Sequence, residues 1–462
     1  MSGARDDEAN KLSGRLSRYA RVGSGVGGYA ARVIGARALG RDADRSERAA
    51  DLARMLGGLK GPLMKAAQLA AHIPDVLPPE FAAELQKLQA EAPPMGWAFV
   101  RRRMRAELGA GWEKRFRSFE REPAAAASLG QVHRAEAPDG EAVACKLQYP
   151  DMDSAVEADL TQLGLILAMQ RRFSPEIDTR EVVKELSARL REELDYEREA
   201  AHMRLYGEIL ADGPEVRVPA VLPKLSTRRL LAMTWLEGKP LLAFAERPIE
   251  ERNLIAAALF KAWWHPLAHF GVIHGDPHLG NYAVFEADDA PAGINLLDYG
   301  CIRIFPPRFV EGVVGLYRGF QGDDRARIAE AYRAWGFREL SDEMIDTMNV
   351  WARFIFAPLL DDRVRTIADG VEPHKYGRRE VWQVKEALKP QGSVTIPREF
   401  VLMNRAAVGL GAVFLHLKAE MNFHRMFEAE IDGFEREALA RRQAAALKRA
   451  GLEDAPGDEH RS

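Results

Sequence analysis

His274-Gly275-Asp276-Pro277-His278-Leu279-Gly280-Asn281, followed by Leu297-Asp298-Tyr299-Gly300, is the feature that most narrows what this chain can fold into. An aspartate with an asparagine five residues on, and a second aspartate beyond an apolar strand, is a spacing that can set one base and two magnesium ligands around a triphosphate. In that reading Asp276 positions the nucleophile or acts as its base, and Asn281 and Asp298 hold the metal. Amide and carboxylate oxygens suit Mg²⁺, a hard cation that bridges protein and phosphate oxygens. The implied chemistry is phosphoryl transfer or nucleotide hydrolysis.

Such a site needs an upstream lysine. Val143-Ala144-Cys145-Lys146 reads as a strand presenting Lys146 to the α and β phosphates, and Glu199, on a long helical stretch, is the carboxylate expected to fix its direction. Each residue alone would more often be a surface ion pair. Their order along the chain makes that reading improbable. Met233-Thr234-Trp235-Leu236-Glu237-Gly238 reads as a connector between lobes, and its resemblance to kinase connectors implies the Leu236 amide as the donor to adenine. After Gly300 the chain runs through Ile302 and Pro306-Pro307 into an expected helix with no Ala-Pro-Glu, which leaves little room for a peptide-docking segment.

The 462 residues, at roughly 150 per domain, allow two or three lobes. With 65 Lys+Arg against 68 Asp+Glu the net charge is −3, which excludes a strongly basic nucleic-acid-coating protein, and no nucleic-acid partner is expected. Two cysteines, Cys145 and Cys301, are too few for a disulfide scaffold and point to a reducing compartment. The polar start lacks a signal-peptide core, so the mature chain is expected to begin there. Charges interrupt every apolar run before it could span a bilayer. From Lys11 to Arg41 every charge is positive amid many glycines, a composition suited to an anionic surface, although a solvated leader explains it equally well.

Helical periodicity is expected over Ser46 to Leu108, with breaks at Leu77-Pro78-Pro79 and Pro93-Pro94. Ala124 to Ala135 and Ala142 to Gln148 read as the strands of a hairpin about Asp139-Gly140, a pair that favours two-residue turns. Strands are also expected within Val216–Leu236, His274–Phe285 and Ile294–Ile304, with helix elsewhere. His265 and His269, at i, i+4 spacing, could be half of a zinc site. Pro266 between them and the lack of a His-Glu-x-x-His pattern favour buried, hydrogen-bonded histidines instead.

Over most of its length the chain resembles the UbiB family of atypical kinase-like proteins, also called aarF-domain kinases. Lys65-Ala66-Ala67-Gln68 is similar to the family's Lys-x-Gly-Gln signature, with Ala67 in place of glycine. Leu77-Pro78-Pro79-Glu80-Phe81 and Leu85-Gln86-Lys87-Leu88-Gln89 follow as in the family. Ala125-Ala126-Ala127-Ser128 resembles its alanine-rich nucleotide loop, continued by Gly130-Gln131-Val132-His133, and Glu193-Leu194-Asp195-Tyr196 its Glu-x-Asp motif. Because alanine meets a steric penalty at the positive φ angles that let glycine loops wrap phosphates, nucleotide should be held differently here.

The resemblance implies an α+β, bilobal, atypical kinase-like fold with an N-terminal helical extension. Residues 1–45 would be the basic leader and 46–115 the extension. An N-lobe would cover 116–236, a helical C-lobe 237–440 and a polar tail 441–462. It implies that Lys65 and Gln68 cover the site beside Glu193 and Asp195, blocking protein substrates. It further implies ATP and Mg²⁺ as ligands, and hydrolysis supporting ubiquinone biosynthesis or lipid handling, with a lipid or quinone-precursor ligand. The expected location is cytoplasmic, peripheral on the inner face of a membrane. Two other readings share the catalytic pattern: a small-molecule kinase of the aminoglycoside or choline kinase type, and a nucleotide-sensing pseudokinase. Oligomeric state does not follow from the sequence.

Overall fold

The computed structural model describes residues 95–127, 129–150, 190–337, 340–368 and 398–453, with 152, 156, 157, 160 and 371. The basic leader, Lys65, Gln68 and Ser128 lie outside these. The chain divides into two compact units, 1–199 with 221–235 and 200–220 with 236–462. Helices and sheets are mixed in the α+β manner expected.

In the first unit, α1 (Trp97–Leu108) buries Val100, Arg103, Met104 and Leu108, a stripe at helical spacing, and ends at Gly109 with φ at +89°. Strands β1 (Ser118–Phe119), β2 (Ala125–Ala127), β3 (Gly130–Glu136), β4 (Ala142–Gln148) and β6 (Leu230–Thr234) form its antiparallel sheet, in the order β1-β3-β4-β6 with β2 also on β3. Val143, Cys145 and Leu147 alternate along β4 into one core with the α1 stripe, Trp112, Leu230 and Ala232. The guanidinium of Arg103, itself buried, donates to the carbonyls of Gln148 and Tyr149 and so pins α1 to the end of β4.

Two sequence expectations are corrected here. Ala124 to Ala135 is not one strand: Ala127 pairs with Gly130, so the chain has already reversed between β2 and β3. The β3–β4 connection is a five-residue loop, in which the Gly140 N–H donates to the Ala137 carbonyl and the Ala137 N–H to that of Glu141. Gly140 takes φ +91°, the left-handed conformation for which glycine was chosen, and Asp139 Oδ1 accepts from the Glu141 N–H.

A buried polar chain secures the β3 edge. The Gln131 carboxamide accepts the Met95 N–H and donates to the Met95 carbonyl, which fixes its orientation, and the same Nε2 lies 2.7 Å from His133 Nε2. His133 Nε2 must therefore accept, while Nδ1, 2.9 Å from the Glu120 carbonyl, donates. The ring is thus neutral, and burial holds its pKa below 6.5, outweighing the Glu120 carbonyl and the nearby acidic charges. The unfolded chain then binds a proton that the folded chain refuses. Stability should fall as pH drops below about 6.5 and level off once the folded ring protonates. His133→Gln should cost about 1–3 kcal/mol at neutral pH yet flatten that decline, as read from urea midpoints across the range.

In the second unit a four-stranded sheet runs β5 (Val216–Arg217), β10 (Ala290–Leu296), β9 (Tyr282–Ala287), β7 (Lys239–Pro240), and a two-stranded ribbon pairs β8 (Val272–His274) with β11 (Ile302–Ile304). Helix α2 (Tyr196–Ile209) begins in the first unit and continues into the second. Helix α3 (Ile249–Phe270) buries Ile255, Leu259, Trp263 and Leu267. It stops at Gly271, whose φ of +64° and closeness to Gln443 Nε2 and the Phe305 carbonyl exclude a side chain. Around it lie α4 (Pro307–Gln321), α5 (Arg325–Ala334), α6 (Asp342–Leu360), α7 (Arg398–Leu417), α8 (Phe423–Ile431) and α9 (Arg436–Ala450). Among the described residues no helix is long and apolar enough to cross a membrane.

Candidate functional site

Strand alternation turns Cys145 into the core and Lys146 to the opposite face of β4. There Lys146 Nζ meets Glu199 Oε1 at 2.5 Å, with side-chain exposures of only 13% and 4%. The ammonium also lies 5.3 Å from the centre of the Tyr196 ring, one turn earlier on α2. A shielded pair of this kind holds its geometry far better than an exposed one. The first turn of α2 is set by Asp195, whose Oδ1 accepts the N–H groups of Glu197 and Arg198. Asp195 therefore caps the helix that carries Glu199. Glu193 sits half-buried in the helical turn just before it.

Ala125 and Ala126, both exposed, and Ala127 form paired β2 backbone, with none of the three at positive φ. The conformational penalty expected of alanine in a phosphate loop does not arise at these positions. Cys145 is no nucleophile, because burial pushes its thiol up to about 12.

In the second unit the site residues converge because of how the strands pair. Ile302 stands opposite His274 and Tyr282 opposite Leu296 in two antiparallel pairs. The chain leaving β8, entering β9, leaving β10 and entering β11 is thereby gathered at one end, and those four stretches hold Asp276, Asn281 and Asp298. Gly275 donates its N–H to the Cys301 carbonyl, which a Cβ would approach to 2.6 Å, so only glycine fits. Leu297 donates to the Asn281 carbonyl.

His274, 2% exposed, ties both aspartates by their backbones. Its Nδ1 accepts the Asp276 N–H at 3.2 Å, and its Nε2 faces the Asp298 carbonyl at 2.9 Å, which requires the Nε2–H tautomer. The Trp263 indole donates to the His274 carbonyl. Asn281 Nδ2 donates to the Asp276 carbonyl at 2.8 Å, turning Oδ1 the other way, and Asp298 Oδ1 accepts the Gly300 N–H at 3.2 Å. Tyr299 is fully buried, and its hydroxyl donates to the Leu296 carbonyl. His202 of α2 bonds the Tyr299 carbonyl at 3.1 Å. His278 is exposed, with Nε2 3.8 Å from Asp276 Oδ2. Leu236 lies in irregular chain just after the first unit ends, and Asn295 Nδ2 holds the neighbouring Glu237 carbonyl.

The structure thus brings Lys146 to Glu199 in one unit, and Asp276, Asn281 and Asp298 together in the other. The oxygen donors of Asn281 and Asp298 match what Mg²⁺ takes. Sequence reasoning missed Tyr196, His202 and the capping by Asp195, of which only the last had a signal, an aspartate just ahead of a helical run. His265 and His269 are hydrogen-bonded as expected but half-exposed rather than buried.

A family model described as the ABC1 atypical kinase-like domain matches residues 87–332. The mitochondrial atypical kinase COQ8 of Saccharomyces cerevisiae is 31% identical over 253 residues, 54% of this chain and 50% of that protein. The mitochondrial atypical kinase COQ8B of Rattus norvegicus is 34% identical over 224 residues, 48% of this chain and 42% of that one. The chain spans about half the length of the curated relatives it matches. Among solved structures, the Rv3197–erythromycin complex from Mycobacterium tuberculosis aligns with a TM-score of 0.59 at 28% identity, covering 87% of this chain and 99% of that one.

Proposed function

The chain belongs to the ABC1 atypical kinase-like family, and from that premise we propose that it is a UbiB-type ATPase that binds Mg-ATP and supports ubiquinone biosynthesis or lipid handling at a membrane surface. The observation that carries this reading is the gathering of Asp276, Asn281 and Asp298 at one end of the β8–β11 and β9–β10 pairs, pinned through His274. Lys146, held by Glu199, is assigned to the α and β phosphates, and the Leu236 amide to adenine. Asp276 is assigned to orient the attacking hydroxyl or water and take its proton. When bound through Asn281 Oδ1 and the Asp298 carboxylate, Mg²⁺ would neutralise phosphate charge.

The chain enters α4 at Pro307, three residues after β11 ends, which leaves no span for a peptide-docking segment and favours a small acceptor or water. By the family resemblance, Lys65 and Gln68 are assigned to covering the site against protein substrates, with Glu193 and Asp195 meeting that lysine. The deciding experiment is phosphate release by the full chain, with and without anionic liposomes and a phenolic quinone-precursor mimic. We expect Mg²⁺-dependent hydrolysis that rises with both additions and disappears in Lys146→Met. Phosphotransfer to an aminoglycoside or choline without hydrolysis, or nucleotide binding without any turnover, would replace this reading.

A further inference from the structure

Outside the nucleotide residues, one group of three metal-capable side chains comes together among the described residues: His265 and His269 of α3 with Glu430 of α8. Their ligand atoms lie within 4.8 Å of one another. His265 Nδ1 is 3.0 Å and His269 Nε2 3.3 Å from the same oxygen, Glu430 Oε2. The imidazoles are one helical turn apart with ring centres separated by 4.4 Å, so Pro266 has not turned them to different faces.

Rigid packing places the carboxylate. Trp264 of α3 stacks edge-on against Phe427 of α8 at 4.6 Å, and Phe260 meets Phe423 one turn earlier. Extended by three residues along α8, that aromatic seam delivers Glu430 to the two histidines. Both rings and the carboxylate are therefore oriented by the core, as a preorganised binding site requires.

Two of the three ligand separations match a coordination polyhedron. Zinc bonds of about 2.0–2.2 Å to nitrogen and oxygen give a tetrahedron with edges of roughly 3.3 Å, close to the two nitrogen–carboxylate separations, while the third edge, between the two histidine nitrogens, is no longer than 4.8 Å. His269 lies in the last turn of α3, where the helix dipole favours a cation. Lys261, one turn before His265, is drawn to Glu215 at 2.6 Å. With exposures of 29%, 29% and 16%, the three side chains can be reached by an ion and by a water ligand.

We propose that His265, His269 and Glu430 form a three-ligand site for a divalent transition-metal ion of the zinc class, with water in the fourth position. The nitrogen-rich set distinguishes it from the oxygen set of Asn281 and Asp298, which suits magnesium. An ion there clamps α8 to the end of α3, just ahead of Gly271 and the strand that leads to His274.

The test is a cobalt titration of the untagged, chelator-stripped full chain in excess Mg²⁺, which saturates oxygen-donor sites. The expected result is one equivalent of Co²⁺ with the intense visible bands of tetrahedral coordination, displaced by Zn²⁺, and a melting temperature raised by Zn²⁺. His265→Gln, His269→Gln and Glu430→Gln should each weaken Zn²⁺ binding by about 100-fold or more, since even losing an outer partner of a metal ligand costs 10–100-fold. Only the faint spectrum of octahedral Co²⁺, or tetrahedral bands that survive in these variants, would overturn the proposal. Should the variants fail to fold, X-ray absorption of the Zn²⁺-loaded wild-type chain decides: two imidazoles and a carboxylate support the site, and an all-oxygen shell removes it.

Discussion

Asp298→Asn should weaken Mg-ATP binding by roughly 100-fold, whereas Asp276→Asn should leave affinity within a few-fold of wild type and lower turnover by about 10²–10⁴. The two variants are informative because neither disturbs the architecture. Asparagine at 298 keeps an Oδ1 acceptor for the Gly300 N–H, and the bond between His274 and the residue 298 carbonyl is made by backbone. At 276 the bond from the N–H to His274, and those from Asn281 Nδ2 and the His278 N–H to the carbonyl, also belong to the main chain. Each substitution removes a negative charge and exchanges one carboxylate oxygen for an amide NH₂. A neutral amide at 298 cannot balance a divalent cation against phosphate oxygens, and at 276 it cannot accept a proton. Calorimetry with Mg-ATP and single-turnover phosphate release on both variants separate the two roles. Wild-type affinity in Asp298→Asn would remove the metal assignment.

What could be read from the sequence was chemistry held in short contiguous stretches or governed by strand period. The spacing of Asp276, Asn281 and Asp298 is legible because β8, β9, β10 and β11 are short and closely connected, so order along the chain fixes which ends meet. Lys146 is legible because alternation forces it away from the face that buries Cys145. The β3–β4 loop was misjudged because Asp139-Gly140 reports a left-handed residue, and a five-residue loop needs one as much as a two-residue turn does. The partner of the histidine pair was out of reach altogether. Glu430 is 165 residues from His265, and the aromatic seam between α3 and α8 that delivers it is a tertiary match with no local signature. The same holds for the His133 network, in which Met95, Glu120 and Gln131 take part through groups that no pattern distinguishes.

Gly130→Ala should be among the most damaging single substitutions in the first unit, destabilising it by about 3 kcal/mol or more and abolishing nucleotide binding with it. Gly130 does not adopt a left-handed backbone; its constraint is space. A methyl group there would come within 2.2 Å of the Leu147 carbonyl oxygen and 3.0 Å of the Tyr196 hydroxyl. The nearer neighbour is main chain in the β3–β4 ladder, so no rotamer change relieves it. The strands must separate locally, at Gly130↔Gln148 and Gln131↔Leu147. Leu147 follows Lys146 directly, and Tyr196 carries the ring beside the Lys146 ammonium, so the displacement reaches the strand that carries the lysine and the ring that flanks it. Gly207→Ala serves as the control, since a Cβ there meets only the Val218 methyl at 3.7 Å and glycine in a helix interior already costs about 1 kcal/mol against alanine. Thermal melts and ATP titrations of the two variants should diverge, with Gly130→Ala losing both signals and Gly207→Ala holding or gaining stability. Equal behaviour would mean that β4 does not depend on the close approach of β3 for the placement of Lys146.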